Sequence, residues 1–265
     1  MSDMPVTLII LAGQRHGVVN PLAERAGVSH KCLVPICGKP LLAHVLDTVA
    51  TLPAIAEIRL SLEPEAHGEV QALIAPYLER GARIVLIPNA PNIVESVLAA
   101  SGEDPGPFVI TTADNVLLTR EGFEEVRSAM AEADAVVGLT RKERVHEAHP
   151  EGQRNFYEFK DGGYANCNIY GLSSRKALVA AEFFREGGQF QKNPRRLARA
   201  VGLANILLMR FKLIGMESAM RRLSRRFGVT IKAVSFADGA LAIDVDNERT
   251  YRVCEELLTR RLGRA

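Results

Sequence analysis

Short apolar runs alternate with amphipathic stretches through the first half of the chain. Five runs are rich in β-branched and aromatic residues, as buried strands are: VTLIIL at 6–11, EIRLSL at 57–62, RIVLIP at 83–88, PFVITT at 107–112 and DAVVGL at 134–139. Helical periodicity fills the segments between them, at 40–52, 69–81, 92–101 and 120–133. This alternation predicts an α/β fold with a mostly parallel, doubly wound sheet, helices on both faces and right-handed crossovers.

The pattern changes after residue 141. NFYEFKDGGYANCNIYGL, at 155–172, contains two extended runs joined at DGG, which predicts a hairpin. VTIKAVSF at 229–236 and LAIDVD at 241–246 are predicted as late strands, and 247–262 as a closing amphipathic helix. Because no repeat, low-complexity tract or Pro/Gly linker divides the chain, we expect one domain over 1–265, with 173–228 as a helical, basic sub-region.

The composition is that of a globular protein. The chain has 265 residues, of which 47% are hydrophobic, and this is enough for a full core. No apolar run reaches the roughly 18 residues of a membrane span and no signal-peptide pattern is present, so we expect a cytoplasmic protein. The cysteines form no CxxC pair and no regular framework, which predicts reduced thiols at Cys32, Cys37, Cys167 and Cys254.

Charge is distributed unevenly, although the formal net charge is only +2. Residues 192–232 contain eleven Lys and Arg against one acidic residue, so this segment carries +10 and the rest of the chain −8. One interpretation is a helix packed on the sheet with its cations in water. The other interpretation is that 195–227 contacts the anionic inner surface of a membrane. Each Lys or Arg near such a surface contributes about 1 kcal/mol to membrane binding. The cations concerned are Arg221, Arg222, Arg225 and Arg226.

A long polar and cationic loop follows the first strand. It has glycines but neither GxxxxGK[ST] nor GxGxxG, so it is not a P-loop. A glycine-containing loop after a strand can present backbone N–H groups to an anion, and Arg15 and Lys31 would add charge. The alternative is a surface loop with incidental cations. The position of Lys31 argues against it, because Lys31 immediately precedes the apolar segment CLVPI, where an unpaired ammonium would be costly unless it faced a ligand. His16 and His30 lie in the same loop, where a solvated histidine is the simpler interpretation.

Carboxylates lie at two predicted strand ends, which meet at one edge of a parallel sheet. Asp114 ends TTAD, and Asp244 and Asp246 belong to DVD. Each site has a common alternative role, which is to cap the helix that follows. Mg²⁺ is typically held by one or two carboxylates together with substrate phosphate oxygens, so Asp114 and Asp246 form a candidate magnesium site. The relative roles of Asp244 and Asp246 stay open.

These segments together resemble a known group of enzymes. LIILAGQRHG, HKCLVPICGKPLLAHVLDTV, TTADN and DVDNERTY are similar to GT-A-like nucleotidyltransferases, which include the molybdenum cofactor nucleotidyltransferases and the sugar-phosphate and alditol-phosphate cytidylyltransferases. The resemblance covers 5–140 and 229–262. The family usually has LAAGxGxR or LAGGxSxRM, whereas GQRHG lacks the second close glycine, which leaves Arg25 as an alternative to Arg15 at the phosphates.

The resemblance implies a GT-A-like, Rossmann-like three-layer fold and specific roles for several residues. It implies catalytic roles for Lys31, Arg15 and Asp114, and metal binding by Asp114 and Asp246. Nucleotide binding is implied for Leu11, Ala12, Gly13, Arg15, Lys31 and Ser96. The alternative for Ser96, and the simpler one, is a capped, ordinary helix. Acceptor binding is implied for Tyr164, Cys167 and Asn168, which could instead form a purely structural hairpin.

The expected reaction joins a nucleoside triphosphate, with a weak preference for CTP, to a phosphorylated small molecule or lipid precursor, and releases pyrophosphate. A phosphomonoester is already ionised near neutral pH, so the reaction needs cations and Mg²⁺ rather than a general base. One alternative is a GT-A glycosyltransferase that uses a nucleotide sugar, for which DVD is a weak match. A second is a nucleic-acid-binding module, which is disfavoured because the basic segment has only two aromatic residues for stacking.

Overall fold

An eight-stranded mixed sheet forms the centre of the computed structural model, which describes residues 5–14, 20–184, 208 and 211–263. Seven strands follow the spatial order β10-β7-β9-β6-β1-β4-β5, and β8 pairs with β9. All neighbours are parallel except those of β9, which is antiparallel to β6, β7 and β8. These strands are β1 Val6–Leu11, β4 Ile55–Leu62, β5 Ile84–Pro88, β6 Phe108–Thr112, β7 Ala135–Arg141, β8 Tyr157–Phe159, β9 Gly162–Leu172 and β10 Ile231–Phe236.

The remaining elements connect and cover this sheet. A small antiparallel ribbon pairs β2 Pro35–Ile36 with β3 Lys39–Pro40. Short 3-10 helices occupy Lys31–Leu33, Pro64–Ala66, Arg175–Phe184 and Gly239–Ala242. The α-helices are α1 Pro21–Ala26, α2 Leu41–Val49, α3 His67–Glu79, α4 Ile93–Ser101, α5 Arg120–Ala129, α6 Lys142–Ala148, α7 Met216–Phe227 and α8 Glu248–Leu262.

Alternating side chains of the central strand divide the core into two layers. Leu8 and Ile10 of β1 face one cluster, to which α2, α3, α5 and α8 contribute. Ile9 faces the opposite cluster, which is covered by α4 and by the 3-10 helix at Arg175–Phe184. The predicted three-layer, mostly parallel α/β fold is therefore confirmed.

The chain order reverses beside β1, and this places a crevice at the sheet edge. From β1 the chain moves outward to β4 and β5, and then returns to β6 on the other side of β1. Ligands of open α/β sheets bind beyond the carboxyl ends of strands at such a switch point. The chain segments after Leu11 and Thr112 meet there, where the Ala113 amide donates a 3.0 Å hydrogen bond to the Leu11 carbonyl.

Two local predictions are wrong. The segment 241–246 is not a strand: Gly239–Ala242 forms a 3-10 helix and the chain continues irregularly to Asp246. The loop after β1, for which no helix was predicted, contains α1: the Leu22 amide donates a 3.0 Å hydrogen bond to Oδ1 of the N-cap residue Asn20, and Pro21 starts the helix. The hairpin at 155–172 is confirmed as β8 and β9, and all four cysteines are free thiols.

Within the predicted basic sub-region, the described part contains the 3-10 helix at Arg175–Phe184 and α7, whereas 185–207 and 209–210 lie outside the described residues. Helix α7 packs its apolar face on the protein, with Ala219 and Leu223 buried, and it exposes Arg221 and Arg225. The one-domain organisation over 1–265 stays a prediction. No helix among the described residues is long and apolar enough to cross a membrane.

Candidate functional site

Three carboxylates converge at the switch point of the sheet. One oxygen each from Asp114, Asp244 and Asp246 lies within 4.8 Å of the others. Asp114 follows β6 after one intervening residue, Ala113, while Asp244 and Asp246 lie in the irregular segment before α8. The Val245 amide donates to the Asp114 carbonyl at 3.1 Å, and this backbone bond joins the two segments.

None of these carboxylates caps a helix. The α5 N-cap is Thr119, and the α8 N-cap is Asn247, which forms a reciprocal capping box with Thr250. The capping alternative for Asp114 and Asp246 is therefore wrong. The three carboxylates lie close to one another instead of capping helices. Their mutual repulsion destabilises the fold unless cations compensate the charge.

Lys31 supplies one cation inside this cluster. Its Nζ donates a short hydrogen bond to Asp114 and lies 3.3 Å from Asp246 Oδ1. The Lys31 side chain is only 18% exposed. Burial alone would lower the pKa of Lys31, but attraction to Asp114 and Asp246 and the hydrogen bond that Lys31 donates to Asp114 raise the pKa above its ordinary value. The ammonium is thus charged at neutral pH.

Asp244 is the most buried of the three carboxylates. Burial, followed by repulsion from Asp246 and Asp114, raises the pKa of Asp244 well above its ordinary value. Its Oδ2 accepts a 2.9 Å hydrogen bond from Asn168 Nδ2. Asn168 has a φ of 48°, in the left-handed region that asparagine tolerates better than most residues. Asn168, predicted to contact the acceptor, therefore contacts Asp244 directly.

An irregularity in the β7–β9 pairing places Asn168 here. The register shifts between Val137 and Leu139, whose partners are Tyr170 and Asn166, so β9 carries two extra residues. Gly138 lies opposite this bulge, and a Cβ there would lie 2.7 Å from an Ile169 methyl carbon. Bulges re-aim side chains next to functional sites. Here the bulge directs the Asn168 amide at Asp244.

The residues present suit a divalent cation. Oδ1 of Asp114 is buried and has no hydrogen-bond partner among the described residues. Three carboxylates with one ammonium leave a net charge of about −2 when all are ionised, and carboxylate oxygens are the ligands that Mg²⁺ prefers. An orphaned buried acceptor and an excess of negative charge are both compensated by such an ion.

The predicted nucleotide-binding loop begins at the same edge. Leu11 is half-buried at the end of β1, Ala12 is buried, and the amides of Ala12 and Gly13 donate to the Ser61 carbonyl at 2.9 and 3.1 Å. Arg15 and His16 lie outside the described residues. The alternative cation, Arg25, forms an ion pair with Glu248 on the surface.

Ser96 has a local partner. Its hydroxyl lies inside α4, accepts a hydrogen bond from the Ala90 amide at 2.9 Å and donates to the Ala90 carbonyl at 3.3 Å. The N-cap of α4 is Asn92. Ser96 therefore holds the loop between β5 and α4, and its predicted contact with a nucleotide stays a prediction.

The other two predicted acceptor residues have buried side chains. Tyr164 packs edge-on against Phe159, with ring centroids 5.7 Å apart, and the Arg141 guanidinium lies over its ring. Cys167 lies in the main core, where burial, followed by the charge of Asp244, raises the pKa of its thiol well above its ordinary value. An acceptor role for Tyr164 and Cys167 stays a prediction.

A second polar cluster, beyond β1, β4 and β5, was not identified from the sequence. Oε1 of Glu63 accepts hydrogen bonds from the Gln14 amide at 2.9 Å and from Asn89 Nδ2 at 2.7 Å. A Cβ on Gly13 would lie 2.6 Å from Asn89 Nδ2, so glycine permits this close approach. Glu63 directly follows the end of β4, much as Asp114 lies just beyond the end of β6. The expectation that a carboxylate at a strand end faces the crevice, which selected Asp114, could therefore also have selected Glu63.

Solved structures with this fold include a hypothetical transferase, a synthase and a synthetase. A hypothetical transferase from Thermus thermophilus is 26% identical, with a TM-score of 0.73 and a match that covers 94% of this chain and 100% of that chain. The 4-diphosphocytidyl-2C-methyl-D-erythritol synthase from Anaerococcus prevotii is 13% identical, with a TM-score of 0.62 over 97% and 100% of the two chains. A CMP:2-keto-3-deoxy-manno-octonic acid synthetase complexed with CTP is 15% identical, with a TM-score of 0.59 over 97% and 99%.

The family assignment rests on a match to a sequence model of a protein family. A comparison with curated proteins finds no match. Residues 8–188, more than half of the chain, match the MobA-like NTP transferase domain, and this range includes most of β1 together with Lys31 and Asp114. The chain therefore belongs to the MobA-like NTP transferase family and is a nucleotidyltransferase.

Proposed function

We propose that the protein transfers a nucleotidyl group from a nucleoside triphosphate to a phosphomonoester in a Mg²⁺-dependent reaction. An oxygen of the phosphomonoester forms a bond to the α-phosphorus, the bond from that phosphorus to the β-phosphate oxygen breaks, and pyrophosphate leaves. The observation that carries this proposal is the Lys31 ammonium set between Asp114 and Asp246 at the sheet switch point.

Each group in the cluster has a distinct role in this proposal. Asp114 and Asp246, with Asp244, would hold Mg²⁺, which when bound supplies positive charge to the phosphate oxygens. Lys31 stabilises the negative charge that grows on the departing pyrophosphate. The phosphomonoester is already ionised near neutral pH, so no residue has to remove a proton.

The nucleotide and the acceptor belong to the proposal as well. CTP is the preferred nucleotide, a choice supported by two neighbours of the same fold whose names include a cytidylyl or CMP group. Leu11, Ala12, Gly13, Arg15 and Ser96 would contact it. The acceptor, a phosphorylated small molecule or lipid precursor, would approach β9, where Tyr164, Cys167 and Asn168 lie.

Pyrophosphate release tests the reaction. The protein is incubated with Mg²⁺, one of the four nucleoside triphosphates, and each of a panel of phosphorylated alditols, sugars and isoprenoid precursors. We expect pyrophosphate only when nucleotide and acceptor are both present, in equal amounts with a nucleoside-diphosphate-linked product. A parallel incubation contains nucleotide sugars in place of the triphosphates. Release of nucleoside diphosphate there, without pyrophosphate from any pair of triphosphate and acceptor, would instead indicate glycosyl transfer.

The basic helix supports a further part of the proposal. Helix α7 packs its apolar face on the protein, so a membrane contact would be electrostatic only, through the arginines of its outer face. Vesicles of increasing anionic lipid content should sediment the wild type and should sediment much less of the variant in which Arg221, Arg222, Arg225 and Arg226 are all changed to Gln. Equal sedimentation of the two proteins would leave α7 as a solvated surface helix.

A further inference from the structure

On the side of the switch point away from the aspartates lies a buried carboxylate oxygen that has no hydrogen-bond partner within the described part of the chain. Glu63 is 9% exposed, and its Oε1 is fully used by the Gln14 amide and Asn89. Its Oε2 is buried with no hydrogen-bond partner among the residues that the structure describes, and the same holds for Oε1 of Gln14. These two buried oxygens lie beside the loop that contains Gly13. They need hydrogen-bond donors, because a buried polar group without a partner lowers the stability of the fold.

The histidine nearby does not supply the missing hydrogen bond. His30 Nε2 lies 3.7 Å from Glu63 Oε2, which is within ion-pair range but beyond hydrogen-bond distance, while its Nδ1 lies 2.9 Å from Ser29 Oγ. His30 directly precedes Lys31, whose ammonium contacts Asp114 and Asp246. One short segment thus connects the Glu63 cluster with the three aspartates and sets the two sites at neighbouring positions along the sheet edge.

Nucleobases differ in what they offer such a pair of acceptors. Cytosine and adenine carry exocyclic amino groups at C4 and C6, and guanine carries one at C2. Uracil has a carbonyl oxygen where cytosine has its amine, and a carboxylate oxygen facing that carbonyl gains no hydrogen bond and is repelled. A site built to bond an N–H group rejects the analogue that lacks it far more strongly than an apolar pocket could.

We infer that Glu63, assisted by the Gln14 side chain, binds the exocyclic amino group of the nucleobase and thereby selects amino-bearing nucleotides over their oxo or unsubstituted counterparts. This inference rests on the proposed function, in which the triphosphate lies toward Lys31 and the aspartates. For CTP, the group bound is the C4 amine. The site therefore discriminates CTP from UTP at the position where these two nucleotides differ.

The substitution Glu63→Gln replaces a hydrogen-bond acceptor by a donor and preserves the shape of the side chain. Oε1 accepts two N–H donors, from the Gln14 amide and Asn89, so the amide oxygen of the new glutamine keeps that position. Its NH₂ group then occupies the place of Oε2 and becomes a donor. The matched control is Glu65→Gln, which removes an exposed carboxylate from the adjacent 3-10 helix.

Equilibrium binding with Mg²⁺ and without acceptor tests the inference, using three pairs of nucleotides: CTP with UTP, ATP with inosine triphosphate, and GTP with inosine triphosphate. The wild type should bind the amino-bearing member of at least one pair about tenfold or more tightly than its counterpart. Glu63→Gln should reduce that ratio by about tenfold or more, and Glu65→Gln should leave it unchanged.

A second variant keeps the test decisive if Glu63→Gln does not fold. Gln14→Met retains the backbone amide that bonds Glu63 and removes the other acceptor, so it should lower the same ratio. Nucleotide binding without discrimination, or a ratio unchanged in the folded variants, would overturn this inference and leave the proposed function intact. Failure of every nucleoside triphosphate to bind the wild type would overturn both.

Discussion

Replacing Asp244 by Asn should stabilise the metal-free protein near neutral pH. Asp244 is 9% exposed and faces two further carboxylates within 4.8 Å. Asparagine has the same shape and can still accept the hydrogen bond from Asn168. The variant therefore removes a buried charge without removing a packing contact, and its cost should fall on metal binding instead.

The expected magnitude follows from the geometry. Two unit charges 4.8 Å apart repel by about 3.5 kcal/mol at an effective dielectric constant of about 20. The repulsion from Asp246 is smaller, because its side chain is 58% exposed and is screened by water. Lys31 offsets about half of the total, since it is also bonded to the other two carboxylates. A net gain of about 2 kcal/mol remains, or about 4 °C in Tm for a chain of this size.

The sign of the pH dependence is part of this prediction. The pKa of Asp244 is raised in the folded state, so its favourable contribution is present below the unfolded-state pKa and is lost as pH rises through the folded-state pKa. The advantage of Asp244→Asn should thus be absent near pH 4 and grow as the pH rises. Urea unfolding in EDTA at several pH values, repeated in 10 mM Mg²⁺, measures it.

The control is Asp246→Asn, which removes a more exposed charge and should stabilise by less than about 1 kcal/mol. Mg²⁺ at 100 times its Kd should stabilise the wild type by about 2.7 kcal/mol and Asp244→Asn much less. If Asp244→Asn were less stable than the wild type in EDTA at pH 8, the ionised carboxylate would be a structural acceptor for Asn168, and the repulsion argument would be refuted.

Three further predictions concern catalysis and packing. Lys31→Ala should lower kcat by about 100-fold or more while changing nucleotide Kd much less, because its charge acts most on the departing pyrophosphate; steady-state kinetics and equilibrium binding measure the two quantities. Asp114→Asn and Asp246→Asn should each remove most Mg²⁺-dependent turnover, measured as pyrophosphate release over a Mg²⁺ titration, with circular dichroism spectra unchanged. Gly239→Ala should destabilise by more than about 3 kcal/mol in urea, because its Cβ would lie 1.9 Å from the Arg144 carbonyl oxygen.

Each of these predictions has a contrary result. If Lys31→Ala had the kcat of the wild type, Lys31 would have no catalytic role, and the loop after β1 would be a surface loop with incidental cations. Wild-type turnover of both aspartate variants at limiting Mg²⁺ would contradict the metal site. Gly68→Ala, in α3 where a Cβ meets no atom within 4 Å, is the control for Gly239→Ala and should be neutral or slightly stabilising; equal stability of the two variants would contradict the packing argument.

Local patterning determined the order of elements along most of the chain. The continuous apolar run of VTLIIL, typical of a strand buried on both faces, and the helical period of REGFEEVRSA each arise within one element and need no distant partner. β1, α5 and their neighbours therefore follow from the sequence. The expectation that carboxylates at strand ends meet at one sheet edge placed Asp114 correctly after β6. It reached Asp246 through a predicted strand at 241–246 that the structure does not contain. The position of Lys31 before an apolar segment likewise indicated a charge that faces a partner.

Tertiary structure decided which residues meet. Lys31 lies 83 residues from Asp114 and 215 from Asp246 along the chain, and only long-range packing joins them. LAIDVD alternates like a strand, yet it forms a 3-10 helix and an irregular segment, because β10 already forms the sheet edge beside β7 and the Val245 amide bonds the Asp114 loop instead.

The same limit applies to the polar partners of the site. Asn168 reaches Asp244 only through the bulge in β9, and Glu63 meets Gln14 and Asn89 only because β1, β4 and β5 lie side by side. Sequence periodicity reports which face of its own element a side chain occupies. Register between strands that are distant in the chain depends on the packing of the whole sheet, and it is this register that builds the site.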